Sequence, residues 1–244
     1  MSKAAFLRTA SGQSSGAFLE VPRDDKWVMT YSRFSIATLR CLGVAYPALE
    51  VIPDCAPTSS NKTAAGRTCG AACDPHGMHL ECCAPGGGLM MRHDNVVRCV
   101  AQLAARNLDP RPKLEQIIPE LAQRVHGQVG ESRLDVVIFD GTSRSLVDVV
   151  VVSPYVQDQS YRRACARRDG HASRRAAIAK RVRYPCADLV PFALETGGRL
   201  GADARGLLSR MADASDDPFF ERQYLFRAIS SVLQDGVARQ LEGR

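Results

Sequence analysis

The chain has 244 residues, of which 45% are hydrophobic, and a formal net charge of +6. This length and apolar content suffice for one large domain, or for a medium domain with a small satellite. No window approaches the run of apolar residues that a membrane span requires, and residues 1–25 lack the apolar core of a signal peptide. We therefore expect no membrane span and no secretion, while the mild positive surplus favours anionic partners.

The first quarter of the chain predicts little regular structure apart from one helix. Residues 1–30 include a Ser/Gly-rich part and predict a flexible segment. Residues 31–68 predict a helical lead-in followed by a linker. The helix is indicated by apolar spacing over 33–51, and the linker by the Pro, Ser, Thr and Ala composition of 53–68.

The rest of the chain predicts helices and strands that alternate. Apolar spacing over 91–106 predicts an amphipathic helix, which prolines 110 and 112 end. The β-branched runs "RLDVVIFD" and "SLVDVVVVSP", joined by an Asp-Gly turn, predict two strands. This order predicts an α/β core. The predicted elements are strands at 133–140 and 145–154, a charged helical segment at 156–184, a strand at 187–195, and helices at about 201–213 and 217–241.

A cysteine- and histidine-rich stretch, "CGAACDPHGMHLECC", occupies residues 69–83. The chain has nine cysteines, and this odd number argues against a fully paired disulfide framework. Cys69, Cys73, His79 and Cys83 have the spacing C-x3-C-x5-H-x3-C, which predicts a structural Zn²⁺ site with four protein ligands. His76 and Cys82 are alternative ligands, and a Cys-rich loop without metal is the alternative structure. We assign this zinc knuckle to residues 69–90 and expect it to stabilise a segment that is too small to bury a core.

Two aspartates in the predicted strands are the candidate catalytic acids. Asp148 interrupts a run of valines, and a buried carboxylate is costly unless it is paired or binds a cation. In a hairpin, Asp148 and Asp135 lie close together, and with Glu115 they can hold Mg²⁺ for phosphodiester hydrolysis. The alternatives are a salt bridge from Asp148 to an arginine and a solvent-exposed acid at Asp135.

The predicted helix over 161–184 is strongly basic, with nine Arg and Lys residues against the single acid Asp169. Such a surface can neutralise nucleic-acid phosphates, although a solvated helix face is the alternative. Arg92 and His93 stand at the beginning of the amphipathic helix predicted over 91–106 and can contact phosphate or the metal site. The residues expected to contact nucleic acid are Arg92, His93, Arg167, Arg168, Arg174, Arg175, Arg181 and Tyr184.

These landmarks also occur in a recognisable order: the Cys/His stretch, "GGG", "RHDN", Glu115, the two strands, "AAIAKRVRY" and "PFALETGGRLG". Together they resemble the C-terminal region of site-specific non-LTR retrotransposon proteins, over about Phe34 to Met211. That region is a zinc knuckle followed by a restriction-like endonuclease of the PD-(D/E)XK superfamily. The resemblance therefore implies a PD-(D/E)XK core over 91–244, including C-terminal helices, with the knuckle in front.

The resemblance also implies roles for individual residues. Asp135 and Asp148 match the two acids that hold Mg²⁺, and Glu115 matches an acid after the first helix. Leu134 stands where the family often has proline, and Val150 stands where a D-x-K lysine would be. In these endonucleases the lysine is often displaced onto the next helix, where Lys180 is the matching residue. The implied catalytic set is Asp135, Asp148, Lys180 and Glu115.

The implied function is a Mg²⁺-dependent DNA endonuclease that nicks target DNA to prime reverse transcription. Its expected partners are double-stranded DNA and element RNA, its expected location is the nucleus, and the reverse transcriptase would be on a longer protein or missing. One alternative is an inactive zinc-containing nucleic-acid-binding module. Another is an unrelated zinc protein whose partner is a protein.

Overall fold

The computed structural model of the protein describes residues 3–20, 22, 24–47, 55, 69–84, 88–125, 128–130, 132–155 and 158–242. Apart from Cys55, the predicted linker lies outside these residues. The described chain is mixed α/β, as the element order of the sequence predicts. The helices are α1 Lys3–Ala10, α2 Tyr31–Cys41, α3 Met78–Cys82, α4 Gly88–Asn107, α5 Gln159–Arg167, α6 His171–Arg183, α7 Ala202–Asp213 and α8 Pro218–Glu242. The strands are β1 Lys113–Ile117, β2 Gln123–Val125, β3 Gln128–Gly130, β4 Arg133–Asp140, β5 Ser143–Val152 and β6 Leu189–Glu195. Short 3₁₀ turns lie at Ala17–Leu19, Asp25–Trp27 and Pro119–Leu121.

The centre of the fold is a mixed four-stranded sheet of order β1-β4-β5-β6, and β2 and β3 form a separate two-stranded sheet. Strands β4 and β5 form the predicted hairpin, in which Gly141 has a φ of +57° at the turn. Their antiparallel ladder runs from Asp140 opposite Ser143 to Val136 opposite Val147. Asp135 and Asp148 are the residues that directly follow the end of this ladder on the two strands. Strand β6 pairs in parallel with β5 along the whole valine run.

Helices cover both faces of the sheet, which explains why β5 is so apolar. On one face, Val147 and Val149 of β5 pack in a core with residues of α4, α7 and α8. Side chains alternate along a strand, so Asp148 lies on the opposite face, where it meets Lys180 of α6. The sheet therefore places one acid of the valine run beneath a basic helix.

Helix α8 connects the sheet core to the cysteine-rich region. Its middle residues, such as Leu225 and Leu233, belong to the main core. Near its end, Ala238 and Leu241 instead pack with Ile36 of α2, and the same small core contains Cys55, Leu80 and Cys83. The cysteine-rich region thus docks on the end of a long helix, and does not stand apart from the domain.

Two segments differ from the predicted elements. The first 30 residues, expected to be flexible, contain α1, which packs Ala5 against Tyr161 and Cys165 of α5. The charged segment, expected to be one helix, is divided into α5 and α6 because Arg168 is extended and Gly170 has a φ of +63°. No helix among the described residues combines the length and the apolar character that crossing a bilayer requires.

The left-handed backbone of Gly170 yields a first prediction. A Cβ there would meet its nearest neighbours at 3.4 Å and 3.5 Å, so steric overlap is not the main obstacle to Gly170→Ala. The main obstacle is the positive φ, which an alanine adopts only at a cost. We therefore expect a loss of about 1–2 kcal/mol in the free energy of unfolding. Urea denaturation measures this change.

Gly206 provides the matched control, because it lies inside α7 with nothing within 4 Å of a built Cβ. Gly206→Ala should raise the free energy of unfolding by about 0.5–1 kcal/mol. Equal effects of the two substitutions would contradict a special backbone role for Gly170.

Candidate metal centre and candidate active site

Four side chains in the cysteine-rich region converge on one point. The ligand atoms of Cys55, Cys69, His79 and Cys83 all lie within 4.8 Å of one another. The Sγ atoms of Cys55 and Cys83 are 3.5 Å apart, and Cys69 Sγ is 3.3 Å from His79 Nε2. Zn²⁺ bonds of about 2.0–2.3 Å in a tetrahedron require ligand separations near these values. Three sulfurs and one imidazole are also a donor set typical of structural zinc, so these residues fit a metal such as Zn²⁺.

Hydrogen bonds of the backbone position two of the four ligands, Cys55 and His79. Cys55 N donates to Ala71 O at 2.8 Å, and Gly70 N donates to Cys55 O at 3.0 Å. These two backbone hydrogen bonds place Cys55 next to Cys69. The Asp74 carboxylate accepts from His79 N at 2.9 Å and from His76 N at 3.1 Å. Asp74 thereby satisfies backbone donors at the start of α3, the helix that carries His79.

The zinc ligand set predicted from the sequence differs from this group at one position. Cys73 lies outside the group of four, and Cys55 takes its place. The prediction took both pairs from one short stretch, whereas Cys55 reaches the site through its pairing with residues 70 and 71. The alternatives His76 and Cys82 are not in the group either. A useful signal was present, because Cys55 is a cysteine in an otherwise polar, Pro-rich segment.

A buried polar network joins this centre to the rest of the domain. Glu81 of α3 forms an ion pair with Arg40 of α2, and both side chains are almost completely buried. Ser153, just beyond β5, donates to Glu81 at 3.5 Å. Arg92 of α4 donates to Glu81 O at 3.3 Å and to Gln240 of α8 at 2.7 Å. Arg92 is only 3% exposed, so the structure gives it a packing role. This placement corrects the sequence analysis, which expected Arg92 to contact nucleic acid.

Asp135, Asp148 and Lys180 come together on the sheet face beneath α6. Lys180 Nζ is 2.8 Å from Asp148 Oδ1, and the Asp148 side chain is 6% exposed. Asp135 Oδ2 accepts a 2.6 Å hydrogen bond from Val149 N. The Asp135 carboxylate thus takes a backbone donor of β5 at the point where the ladder to β4 has ended.

One carboxylate oxygen of this group lacks a donor among the described residues. Asp148 Oδ2 is buried and accepts no hydrogen bond from the described residues. An unsatisfied carboxylate oxygen in the interior is costly, and a bound cation would satisfy it. Together with the nearby Asp135, this oxygen fits a hard divalent cation such as Mg²⁺.

His93 of α4 lies on the other side of Asp135. Its Nε2 is 3.3 Å from Asp135 Oδ2 and 3.2 Å from the Val149 carbonyl oxygen, and its Nδ1 is 3.2 Å from Asp94 Oδ1. A carbonyl only accepts hydrogen bonds, so Nε2 carries a proton. The hydrogen bond to Asp135 is the main cause that raises the pKa of His93 to about 9. His93 is therefore an imidazolium at neutral pH, and its contact is with the acid pair.

The two acids have pKa values displaced in opposite directions. Burial raises the pKa of Asp148, against the opposing effect of Lys180. Burial also acts on Asp135, but His93 and the Val149 N–H outweigh it and hold the pKa of that carboxyl below its usual value. Such an arrangement of perturbed groups is common at functional sites, although structural ion pairs also produce it.

Two other predicted site residues do not join the acid pair. Glu115 of β1 has a φ of +51° and an exposed side chain, whose closest charged partner is Arg133 at 3.9 Å. Tyr184 is 4% exposed and packs in the small core with Leu134 and Leu146. Both placements correct the sequence analysis: Glu115 is a surface acid on an edge strand, and Tyr184 is a core residue.

The predicted basic residues lie mostly at the surface. Arg181 forms an ion pair with Asp203, and the Arg175 guanidinium stacks on the Tyr161 ring at 5.1 Å. The predicted residues that are exposed are Arg167, Arg168, Arg174, Arg175 and Arg181.

In comparisons with known proteins, no family model and no curated protein matches the chain. Functional conclusions therefore rest on the geometry of the two sites.

The difference between Cys55 and Cys73 gives a direct test of the metal centre. Cys55→Ala should abolish stoichiometric zinc binding, because the change removes one of four ligands. Cys73→Ala should retain about one zinc per chain. Elemental analysis of protein purified without chelators distinguishes the two. Loss of metal in Cys73→Ala alone would instead support the ligand set predicted from the sequence.

The His93 imidazolium predicts a specific pH dependence. Its pKa is about 9 in the folded chain, against an ordinary histidine value of 6.5. Its contribution to stability is therefore fully present below pH 6.5 and is lost as the pH rises through about 9. Urea unfolding without added Mg²⁺ at several pH values should show this loss, and His93→Gln should remove it. His171→Gln is the control, and an NMR-measured pKa of His93 near 6.5 would contradict the assignment.

Proposed function

We propose that the protein is a Mg²⁺-dependent DNA endonuclease of the restriction-like, PD-(D/E)XK kind found in non-LTR retrotransposons. The observation that carries the proposal is the convergence of Asp135, Asp148 and Lys180, in which Asp148 Oδ1 contacts Lys180 and Asp148 Oδ2 accepts no hydrogen bond from the described residues. A structural salt bridge would account for the contact between Lys180 and Asp148. It would not account for Asp148 Oδ2, which is buried and accepts no hydrogen bond from the described residues.

The residues of the site have distinct roles in this proposal. Asp135 and Asp148 would hold Mg²⁺, which supplies charge neutralisation for the phosphodiester and lowers the pKa of a bound water. Asp148 offers its free Oδ2, while its Oδ1 stays with Lys180. Lys180 would orient the attacking water or offset charge on the phosphate. His93 fixes the orientation of Asp135 and adds positive charge beside it.

The basic surface of α5 and α6 supports DNA as the substrate. Lys180 lies on α6, so the exposed arginines of the same helix are directly connected to the candidate active site. Cations on such a surface bind phosphates without reading sequence. The residues proposed to contact the backbone are Arg167, Arg168, Arg174, Arg175 and Arg181.

The zinc centre has a structural role in this proposal. Its four ligands are all protein atoms, which leaves no open position for a substrate. Through Glu81 and Ser153 it reaches the end of β5, the strand that carries Asp148. The proposal also includes a nuclear location, a double-stranded DNA target, element RNA as a second partner, and a reverse transcriptase on a longer protein or missing.

A second candidate function is a nucleic-acid-binding module without cleavage. The ion pair between Lys180 and Asp148 favours it, since a lysine that neutralises Asp148 permanently would leave no cation site. The two candidates make the same prediction for DNA binding and opposite predictions for nicking. A zinc protein with a protein partner is the third possibility, and it predicts no salt-dependent DNA binding.

Nicking of supercoiled plasmid DNA, with Mg²⁺ and with EDTA, tests the proposal. Wild-type protein should nick only with Mg²⁺, and Asp148→Asn should reduce nicking by at least about 100-fold because it removes a metal ligand. DNA affinity and the thermal midpoint of Asp148→Asn should stay close to those of the wild type.

Glu115→Gln is the matched control, because it removes a carboxylate that the structure places outside the acid pair. It should nick like the wild type. A wild-type protein that binds DNA and never nicks would establish the binding module instead. Unfolding of Asp148→Asn would identify its ion pair with Lys180 as structural.

A further inference from the structure

A pocket that the candidate active site does not use lies between α1 and α5. It has a volume of about 360 Å³, and its walls include Ala5 from α1 and Ala166 from α5. The pocket exists because α1 is fixed on α5. Arg8 donates to Ala166 O at 2.8 Å and also forms an ion pair with Asp169.

Three arginines of α5 line this pocket: Arg162, Arg163 and Arg167. Within the described residues, none of the three forms an ion pair, although arginines elsewhere on the surface do, such as Arg144 with Glu120 and Asp188. Arginine is well suited to phosphate, because its planar fork donates two hydrogen bonds to neighbouring oxygens. The arginines therefore present three positive charges that this part of the protein does not neutralise.

Acids near the ends of α5 are already engaged. Asp158 caps the helix and accepts from Ser160 N at 2.8 Å and from Tyr161 N at 3.2 Å. Asp169 forms its ion pair with Arg8. Neither acid therefore serves as a partner of the pocket arginines. An external anion would not have to displace Asp158 or Asp169 to bind these arginines.

Other residues that line the pocket are less polar. Ala5, Ala166 and Tyr155 contribute aliphatic and aromatic surface. The volume is at the lower end of the range for small-ligand sites, about 300–1,000 Å³. A base and sugar can pack on such a wall while their phosphate faces the arginines. A duplex, whose phosphates lie on a convex surface, does not enter a concavity of this size.

We propose that this pocket binds one nucleotide of single-stranded nucleic acid, with its phosphate on Arg162, Arg163 and Arg167. The inference rests on the proposed function only in taking nucleic acid as the partner. Helix α5 directly precedes α6, which carries Lys180, so the pocket and the candidate active site involve consecutive helices. Single strands combine a cationic track with apolar or aromatic surface for the bases, and the pocket has both.

Fluorescence anisotropy with labelled oligo(dT), and separately with a labelled duplex, tests the pocket. The triple variant Arg162→Gln, Arg163→Gln, Arg167→Gln should bind oligo(dT) at least about tenfold more weakly, since it loses charge-assisted hydrogen bonds. The slope of log affinity against log salt should fall by about 0.7 for each phosphate that the arginines no longer neutralise. Duplex binding should decrease much less, because Arg167 alone belongs to the proposed duplex surface.

Two further variants distinguish the effect of the pocket's shape from the effect of positive charge alone. The triple variant Arg98→Gln, Arg111→Gln, Arg205→Gln removes the same charge at exposed arginines outside the pocket and should leave oligo(dT) affinity near the wild-type value. Ala166→Phe fills the pocket and leaves all three arginines in place, and it should weaken oligo(dT) binding without affecting the duplex.

Any of three outcomes would contradict the proposed role of the pocket. They are equal losses of oligo(dT) affinity in the two triple variants, unchanged oligo(dT) affinity in Ala166→Phe, and equal losses of affinity for oligo(dT) and for the duplex in the pocket triple variant. These outcomes are independent of cleavage. A chain that binds oligo(dT) through the pocket and never nicks would refute the endonuclease alone. A chain that nicks and binds oligo(dT) without these arginines would refute the pocket alone.

Discussion

The carboxylate of Asp148, in the middle of a valine strand, is the constraint on which the arrangement of the candidate active site depends. A charge in this position is acceptable only with a cation beside it, and Lys180 provides one at 2.8 Å. That ion pair ties α6 to β5 and so determines where the basic surface lies relative to the sheet. The second oxygen of Asp148 accepts no hydrogen bond from the described residues. This is unusual for a buried acid and agrees with a site for a further cation.

Buried polar contacts join the cysteine-rich region to the end of the strand that carries Asp148. Glu81 lies between His79 and Cys83 in sequence, and its ion pair with Arg40 is almost free of solvent. Removing one member of such a pair leaves an unpaired buried charge, at a cost of about 3–5 kcal/mol. Because Glu81 also contacts Ser153 next to β5, the cysteine-rich region is structurally coupled to the strand of Asp148. Zinc would stabilise this arrangement because it orders the segment that contains Glu81.

The break between α5 and α6 divides the arginines into two surfaces. A continuous helix would have placed all of them on one rod, with a single track for phosphates. The extended backbone at Arg168 and the left-handed Gly170 turn the chain instead. The arginines of α5 then face the pocket against α1, while α6 carries Lys180 to the acid pair. One basic segment of sequence thus serves two places in the fold.

Local pattern by itself determined the elements whose signals are contained in a few neighbouring residues. The β4–β5 hairpin follows from two β-branched runs and an Asp-Gly turn. The proximity of Asp135 and Asp148 follows from that hairpin, because residues that face each other across a short turn need no distant contact. The basic character of 159–183 and the presence of a Cys/His cluster are likewise properties of composition. The catalytic and binding roles given to these residues remain proposals.

Tertiary structure alone decided which residues of each pattern take part. Cys55 replaces Cys73 because pairing with residues 70 and 71 brings a distant cysteine to the metal centre. Arg92 and Tyr184 are buried because α8 and the small core cover them, and a charge or a hydroxyl in the sequence does not reveal what will pack on it. Glu115 faces solvent because its strand, β1, lies at the edge of the sheet and is mostly exposed. In each case the deciding contact is between residues far apart in the chain, and periodicity and spacing carry no information about such contacts.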